Sequence, residues 1–175
     1  MKIHSCGCEI RAASCEISDR AGFLQRIQEL MVEFQAHIVC FDADRLSGIN
    51  HVRSAVVHAV RSFDQGNPIS NTVEMEALLY ASGSRQTNIG ASFGIHNGKN
   101  HVYICVFPAR SDIWDALGSL VHFCECEDPW CKIGERKRAY LMNLFDISEE
   151  ELATTIDQDL ESLILERVAL LDVSR

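Results

Sequence analysis

No apolar run in this chain approaches the roughly 20 residues needed to span a bilayer. The longest are Val102 to Phe107 and Ala55 to Val60, the second broken by His58, so no membrane partner is expected. Met1 to Cys8 holds a lysine but neither an apolar segment nor a small-residue cleavage site. An export signal is therefore not expected, and a cytoplasmic location is. Phosphate-loop, dinucleotide-loop, zinc-protease and nucleophile-elbow signatures are missing, as is any Cys-x-x-Cys pair. Catalytic residues that converge only in space leave no such signature, so these absences lower the expectation of an enzyme without removing it.

What is present points to one well-formed core: 175 residues, 47% of them apolar and 23% charged. Eight cysteines in a chain of this length, without an export signal, read as mostly reduced. Cys40 and Cys105 lie inside apolar runs and read as small buried hydrophobes. The net charge of −9 is unevenly spread, with 10 Lys and Arg against 12 Asp and Glu in residues 1–120, and 6 against 13 in residues 121–175. Lys132 to Arg138, KIGERKR, is a small basic island within the acidic part. The acidic total allows local contact with RNA but no broad positive footprint.

Strands are expected over Glu9 to Ile17 and His37 to Ala43. Between them Phe23, Leu24, Ile27, Leu30, Met31 and Phe34 recur at helical spacing, with Ser18 or Asp19 as cap. A long helix follows from Leu46 to Phe63, stopped by Gly66, Asn67 and Pro68. The next spans Thr72 to Ala81, with Asn71 and Glu74 as cap and reciprocal partner, and ends at Gly83. Ser84 is expected to cap a short helix from Arg85 to Phe93. Asn97-Gly98 then turns into a strand over His101 to Phe107, closed by Pro108. Further helices are expected over Ile113 to Phe123 and, past an irregular cysteine-bearing stretch, over Ser148 to Leu171, the latter interrupted or bent. The fold class is α/β, an α+β two-layer sandwich in which a small mixed sheet packs with several helices in a single domain over residues 1–175.

His122, Cys124, Cys126 and Cys131 place four donors within ten residues, and Cys6 and Cys8 could add to them. Structural zinc, however, favours ligands two to four residues apart in two pairs, and no second pair follows. A zinc or thiol-dependent enzyme built on Cys124 to Cys131 stays open as an alternative. Asp42 and Asp44, at the end of a strand, have metal or acid/base chemistry as one reading and a solvated turn, with Asp44 or Ser47 capping the next helix, as the simpler one. His37, His58 and His101 read as surface or satisfied side chains.

Leu78 to Gln86, LLYASGSRQ, is the most informative stretch. A helix that opens at Ser84 would present amides without acceptors at its positive end, which suits an anion. Arg85 in that first turn would be unfavourable by about 0.3–1 kcal/mol and should be compensated, either internally by Glu74 or Glu76 or by a phosphate. Tyr80 lies one turn back, where the core is its simpler destination.

Phe41 to Phe63 (FDADRLSGINHVRSAVVHAVRSF), Asn67 to Ser70 (NPIS) and above all Glu76 to Gln86 (EALLYASGSRQ) resemble the TPRKB family, the small kinase-binding subunit of the KEOPS complex, in an archaeal-like form. With the strand HVYICVFP the likeness covers most of residues 9–110. It implies a non-catalytic, cofactor-free and metal-free subunit of the assembly that adds a threonylcarbamoyl group to an adenosine beside the anticodon of tRNA. The implied partners are the kinase-like ATPase subunit and the single-stranded acceptor end of tRNA, with other KEOPS subunits indirectly. Carried over by position, the RNA-facing residues are Asn67, Ser82, Gly83, Ser84, Arg85 and Gln86, with Arg53, His58 and Lys99 as secondary candidates. Ile164, Val168, Leu170 and Leu171 are the candidate kinase contacts, their other reading being core-facing helix positions. A kinase regulator without RNA contact is the second reading. Thr87, where the family commonly has an apolar residue, and an elaboration at 124–138 depart from the pattern.

Overall fold

The computed structural model describes residues 7–156 and 159–172; Cys6 lies outside them. β1 (Glu9–Ile17), α1 (Arg20–Phe34) and β2 (His37–Asp42) come first. The Asp19 carboxylate caps α1 by accepting from Ala21 N–H, and Gln35, in the left-handed region at φ 50, ends it. β1 and β2 point the same way but never pair. β3 (Gly98–Phe107) inserts between them antiparallel to both, and the two-residue β4 (His122–Phe123) pairs with the outer edge of β1, giving the order β2-β3-β1-β4. The α/β class therefore holds, and the sheet is antiparallel throughout where a mixed one was expected.

Alternation along β3 explains its apolar run. Tyr103, Cys105 and Phe107 face one core with Ala12, Val39 and Phe41. Val102, Ile104 and Val106 face the other with Ala13, Ile17 and Ile38. A strand apolar on both sides needs cover on both sides. α1 supplies Ile27 and Leu30 to the second core, joined by Ile113, Trp114 and Leu117 from α5 (Ser111–Leu117). Helices thus lie on both faces, one layer more than anticipated.

The first core is closed by α2 (Ile49–Asp64), whose Val52, Ala55, Val56, Ala59 and Val60 form a buried stripe at three- and four-residue spacing. Each fully buried valine of that stripe contributes about 1.5–3 kcal/mol. α3 (Val73–Ser82) and α4 (Thr87–Ala91) pack beside it. Gly90 is required there, because a Cβ would stand 2.8 Å from Leu79 Cδ2. α6 (Glu135–Leu144), α7 (Glu149–Ala153) and α8 (Leu160–Leu170) complete the layer through Leu141, Leu152, Leu163, Ile164 and Val168.

Several expected boundaries move. α5 ends at Leu117, because His122 and Phe123 pair with β1 instead of continuing the helix. α6 opens within the basic island, which the sequence reads either as further RNA contact or as a solvated helix start, without bounds for the helix. The helical stretch expected over Ser148 to Leu171, interrupted or bent, is broken into α7 and α8.

Candidate functional site

The loop between α2 and α3 is organised by Glu76, a carboxylate in α3 with no exposed surface. It accepts from Ser62 Oγ at 2.7 Å, Ile69 N–H at 3.0 Å, Ser70 N–H at 2.7 Å and Ser70 Oγ at 2.9 Å. Four donors of this kind compensate the loss of water around a buried charge. They hold the NPIS segment in one place, with the Asn67 side exposed and its backbone paired in both directions with Ser62. Thr72, one residue later than expected, caps α3 by accepting from Met75 N–H.

α3 stops at Gly83, whose φ of 59 is the left-handed conformation that glycine adopts freely. Gly83 and Ser84 N–H return to the Tyr80 and Leu79 carbonyls. Ser84 Oγ then accepts from Gln86 N–H at 3.2 Å, a local turn that delays the next helix to Thr87. The expected helix start at Ser84 and Arg85 is thereby corrected: Arg85 precedes α4, and the five-residue α4 is capped by no side chain.

Arg85 remains the distinctive residue. Neither proposed internal partner reaches it, since Glu74 is paired with His37 Nδ1 at 2.6 Å and Glu76 is occupied by the loop. Among the described residues it has no carboxylate partner. It is exposed, and with Ser70, Asn71, Thr72, Met75 and Leu79 it lines a cavity of about 390 Å³. Two of the informative sequence blocks, distant along the chain, therefore meet at one cavity.

The other candidates divide. Ser82 is buried and donates to Leu79 carbonyl oxygen, and with Gly83 it lines a separate cavity of about 250 Å³ against Phe145, Arg167, Leu170 and Leu171. Gln86 is exposed and Ser84 is half-buried. Arg53 pairs with Glu127 at 2.8 Å. His58 stacks on Tyr80 and meets Asp172 at 2.6 Å, while Lys99 is exposed. Of the candidate kinase contacts, Ile164, Val168 and Leu171 are core residues drawn inward by α8 packing on α2 and α3. Leu170 alone is exposed, at 43%.

His51, not singled out by the sequence, supports the junction from beneath. Its Nδ1 accepts from Ser47 N–H at 3.3 Å and its Nε2 donates to Ala81 carbonyl oxygen at 2.9 Å, which fixes the neutral ring. Burial pushes its pKa down to about 4.

Over residues 16–172 the chain matches the family model described as Kinase binding protein CGI-121. The chain belongs to the CGI-121 family. Comparison with curated proteins gives no match. The matched span runs from the end of β1 through α8, so it includes the junction and the cysteine-bearing loop alike.

In this CGI-121 family chain the cysteine-bearing loop is held by Asp128, which accepts from Tyr103 Oη and from Ile49 N–H at 3.2 Å. Asp128 thus does from across the chain what Asp44 or Ser47 was expected to do for α2. Burial and the adjoining carboxylate push the Tyr103 phenol well up. Trp130 packs on Tyr103 and His101. No three His, Cys, Asp or Glu side chains among the described residues are grouped to hold a metal ion. Asp42 is buried and caps the turn Ala43–Arg45, while the exposed Asp44 faces His101 at 3.4 Å. In the basic island, Lys137 turns inward to Ala43 carbonyl oxygen at 2.9 Å and Arg138 pairs with Glu149.

Proposed function

We propose that this chain is a non-catalytic accessory subunit of the KEOPS tRNA-modification assembly, which binds the kinase-like ATPase subunit and holds the single-stranded acceptor end of tRNA beside Arg85. Its membership of a family described as kinase-binding supports the first half. The observation that carries the second is the exposed Arg85, without a carboxylate partner among the described residues, next to a loop pinned by Glu76.

The chemistry suits an unpaired nucleic-acid end. A guanidinium engages phosphate oxygens through paired N–H donors. The exposed Asn71 side chain offers hydrogen bonds to sugar and base edges, and the half-buried Met75 offers apolar surface to a base. Preorganisation matters because a loop already fixed loses little entropy on binding.

The test is fluorescence anisotropy with one intact tRNA and the same tRNA lacking its last three nucleotides, at fixed salt. Preference for the intact end, weakening as salt rises, supports the reading. A second reading, a kinase regulator that touches no RNA, is favoured by the acidic balance of −9 and by the exposed Leu170. Absence of binding to either tRNA, with kinase binding retained, would establish it instead.

A further inference from the structure

Cys8 and Cys105 lie on the same face of the sheet, with their Sγ atoms 3.0 Å apart. Cys105 stands opposite Ile10 in the β1–β3 register, and Cys8 is two residues before Ile10 on the same strand line. Pairing continues past the start of β1, because Gly7 carbonyl oxygen accepts from Ala109 N–H at 2.8 Å. Cys8 is thus held against β3 and is exposed, while Cys105 beneath it is fully buried.

We infer that Cys8 and Cys105 are a peroxide-responsive dithiol that closes to a reversible disulfide. The local chemistry divides the roles. Contact with the Cys105 sulfur and the Arg53 guanidinium nearby hold Cys8, the exposed member of the pair, below the ordinary thiol range against the effect of burial. Cys105 is raised by the same pairing and by burial. Cys40, in the same strand layer, is pushed up to about 12 by burial and stays a thiol. An exposed sulfur with thiolate character is the nucleophile, and the one behind it resolves.

The steps balance. Cys8 thiolate attacks a peroxide oxygen, forming S–O and breaking O–O; the leaving hydroxide takes a proton and departs as water, and Cys8 becomes a sulfenic acid. Cys105 Sγ then attacks Cys8 Sγ, forming S–S and breaking S–O, and the second hydroxide leaves with the Cys105 proton as water. Two thiols are oxidised by two electrons and one peroxide is reduced to two waters. A dithiol reductant reverses the bond by exchange.

The experiment treats the reduced full-length chain with equimolar hydrogen peroxide, blocks remaining thiols, and maps the products by mass spectrometry. The expected result is loss of two hydrogens and a Cys8–Cys105 linked peptide pair that disappears with dithiothreitol. Cys8→Ser abolishes the linkage and leaves Cys105 unlabelled by a maleimide in the native state, and Arg53→Ala slows its formation. Cys105→Ala, where it folds, lets Cys8 proceed to the sulfinic acid when a second equivalent of peroxide is added, the first forming the sulfenic acid and the second oxidising it. A wild-type chain in which Cys8 proceeds to the sulfinic acid with Cys105 free, or whose disulfide maps to other cysteines, overturns the inference.

Discussion

Glu76 and Asp128 are both carboxylates that hold a loop against the helical layer, yet the loops they hold end up with different surfaces. Glu76 reaches a segment six and seven residues away, is fully buried, and satisfies four donors. The neighbouring Arg85 is left facing a cavity. Asp128 reaches 25 residues to Tyr103 and 79 to Ile49, and the loop around it is consumed in holding itself down, with Trp130 against two rings and Arg53 drawn to Glu127. A cation with no carboxylate partner among the described residues, beside a rigid loop, is material for binding. A loop anchored through one carboxylate to a distant strand and helix is material for stability.

The contrast is sharpest in what each carboxylate sustains. Glu76→Ala strands the Ile69 and Ser70 N–H groups, while the Ser62 and Ser70 hydroxyls keep the Asn67 and Thr72 carbonyls as acceptors; at about 1.5–3 kcal/mol for each hydrogen bond to a charged group the expected loss is on the order of 4 kcal/mol in urea unfolding. A loss near zero would detach the loop from Glu76 and break the comparison.

Acid comes next. Folded His51 binds its proton only near pH 4, whereas the unfolded ring binds it near 6.5. Between these values the unfolded chain holds more protons, so stability rises with pH through the window and falls as pH drops from 6.5 to 4. The contribution is up to about 1.4 kcal/mol per pH unit and is flat above the window. His51→Gln is expected to remove that slope in midpoint-against-pH curves.

Asp128→Ala removes the cap of α2 and the Tyr103 acceptor, with an expected loss of about 2 kcal/mol. Repeating it in Tyr103→Phe separates the two contributions. Arg85→Ala is expected to change stability by less than about 0.5 kcal/mol, as an exposed side chain with no carboxylate partner among the described residues should.

Legibility followed the range of the interaction. The stripe of α2 and the stop at Gly83 are local patterns, read directly from periodicity and from one glycine. The bounds of α6 escaped because Lys132 to Arg138 presents charge before Leu141, Met142 and Phe145 reveal an apolar face. Arg85 was placed in a helix because Ser84 is a good cap by type, and Ser84 instead spends its oxygen on Gln86 N–H. The missing cap of α2 lay in Asp128, which no local pattern connects to Ile49. The antiparallel sheet depended on β3 inserting between β1 and β2, a choice made by packing on both faces.

The most direct measurement is the affinity of Arg85→Ala for intact tRNA beside wild type, at one salt concentration, with kinase binding and unfolding midpoint measured on the same preparations. One charge-assisted phosphate contact is worth about 1.5–3 kcal/mol, so the expected result is a loss of roughly ten- to a hundredfold in tRNA affinity with kinase binding and midpoint unchanged. Equal affinity of the two proteins for tRNA would contradict the account and take the RNA site away from the α3–α4 junction.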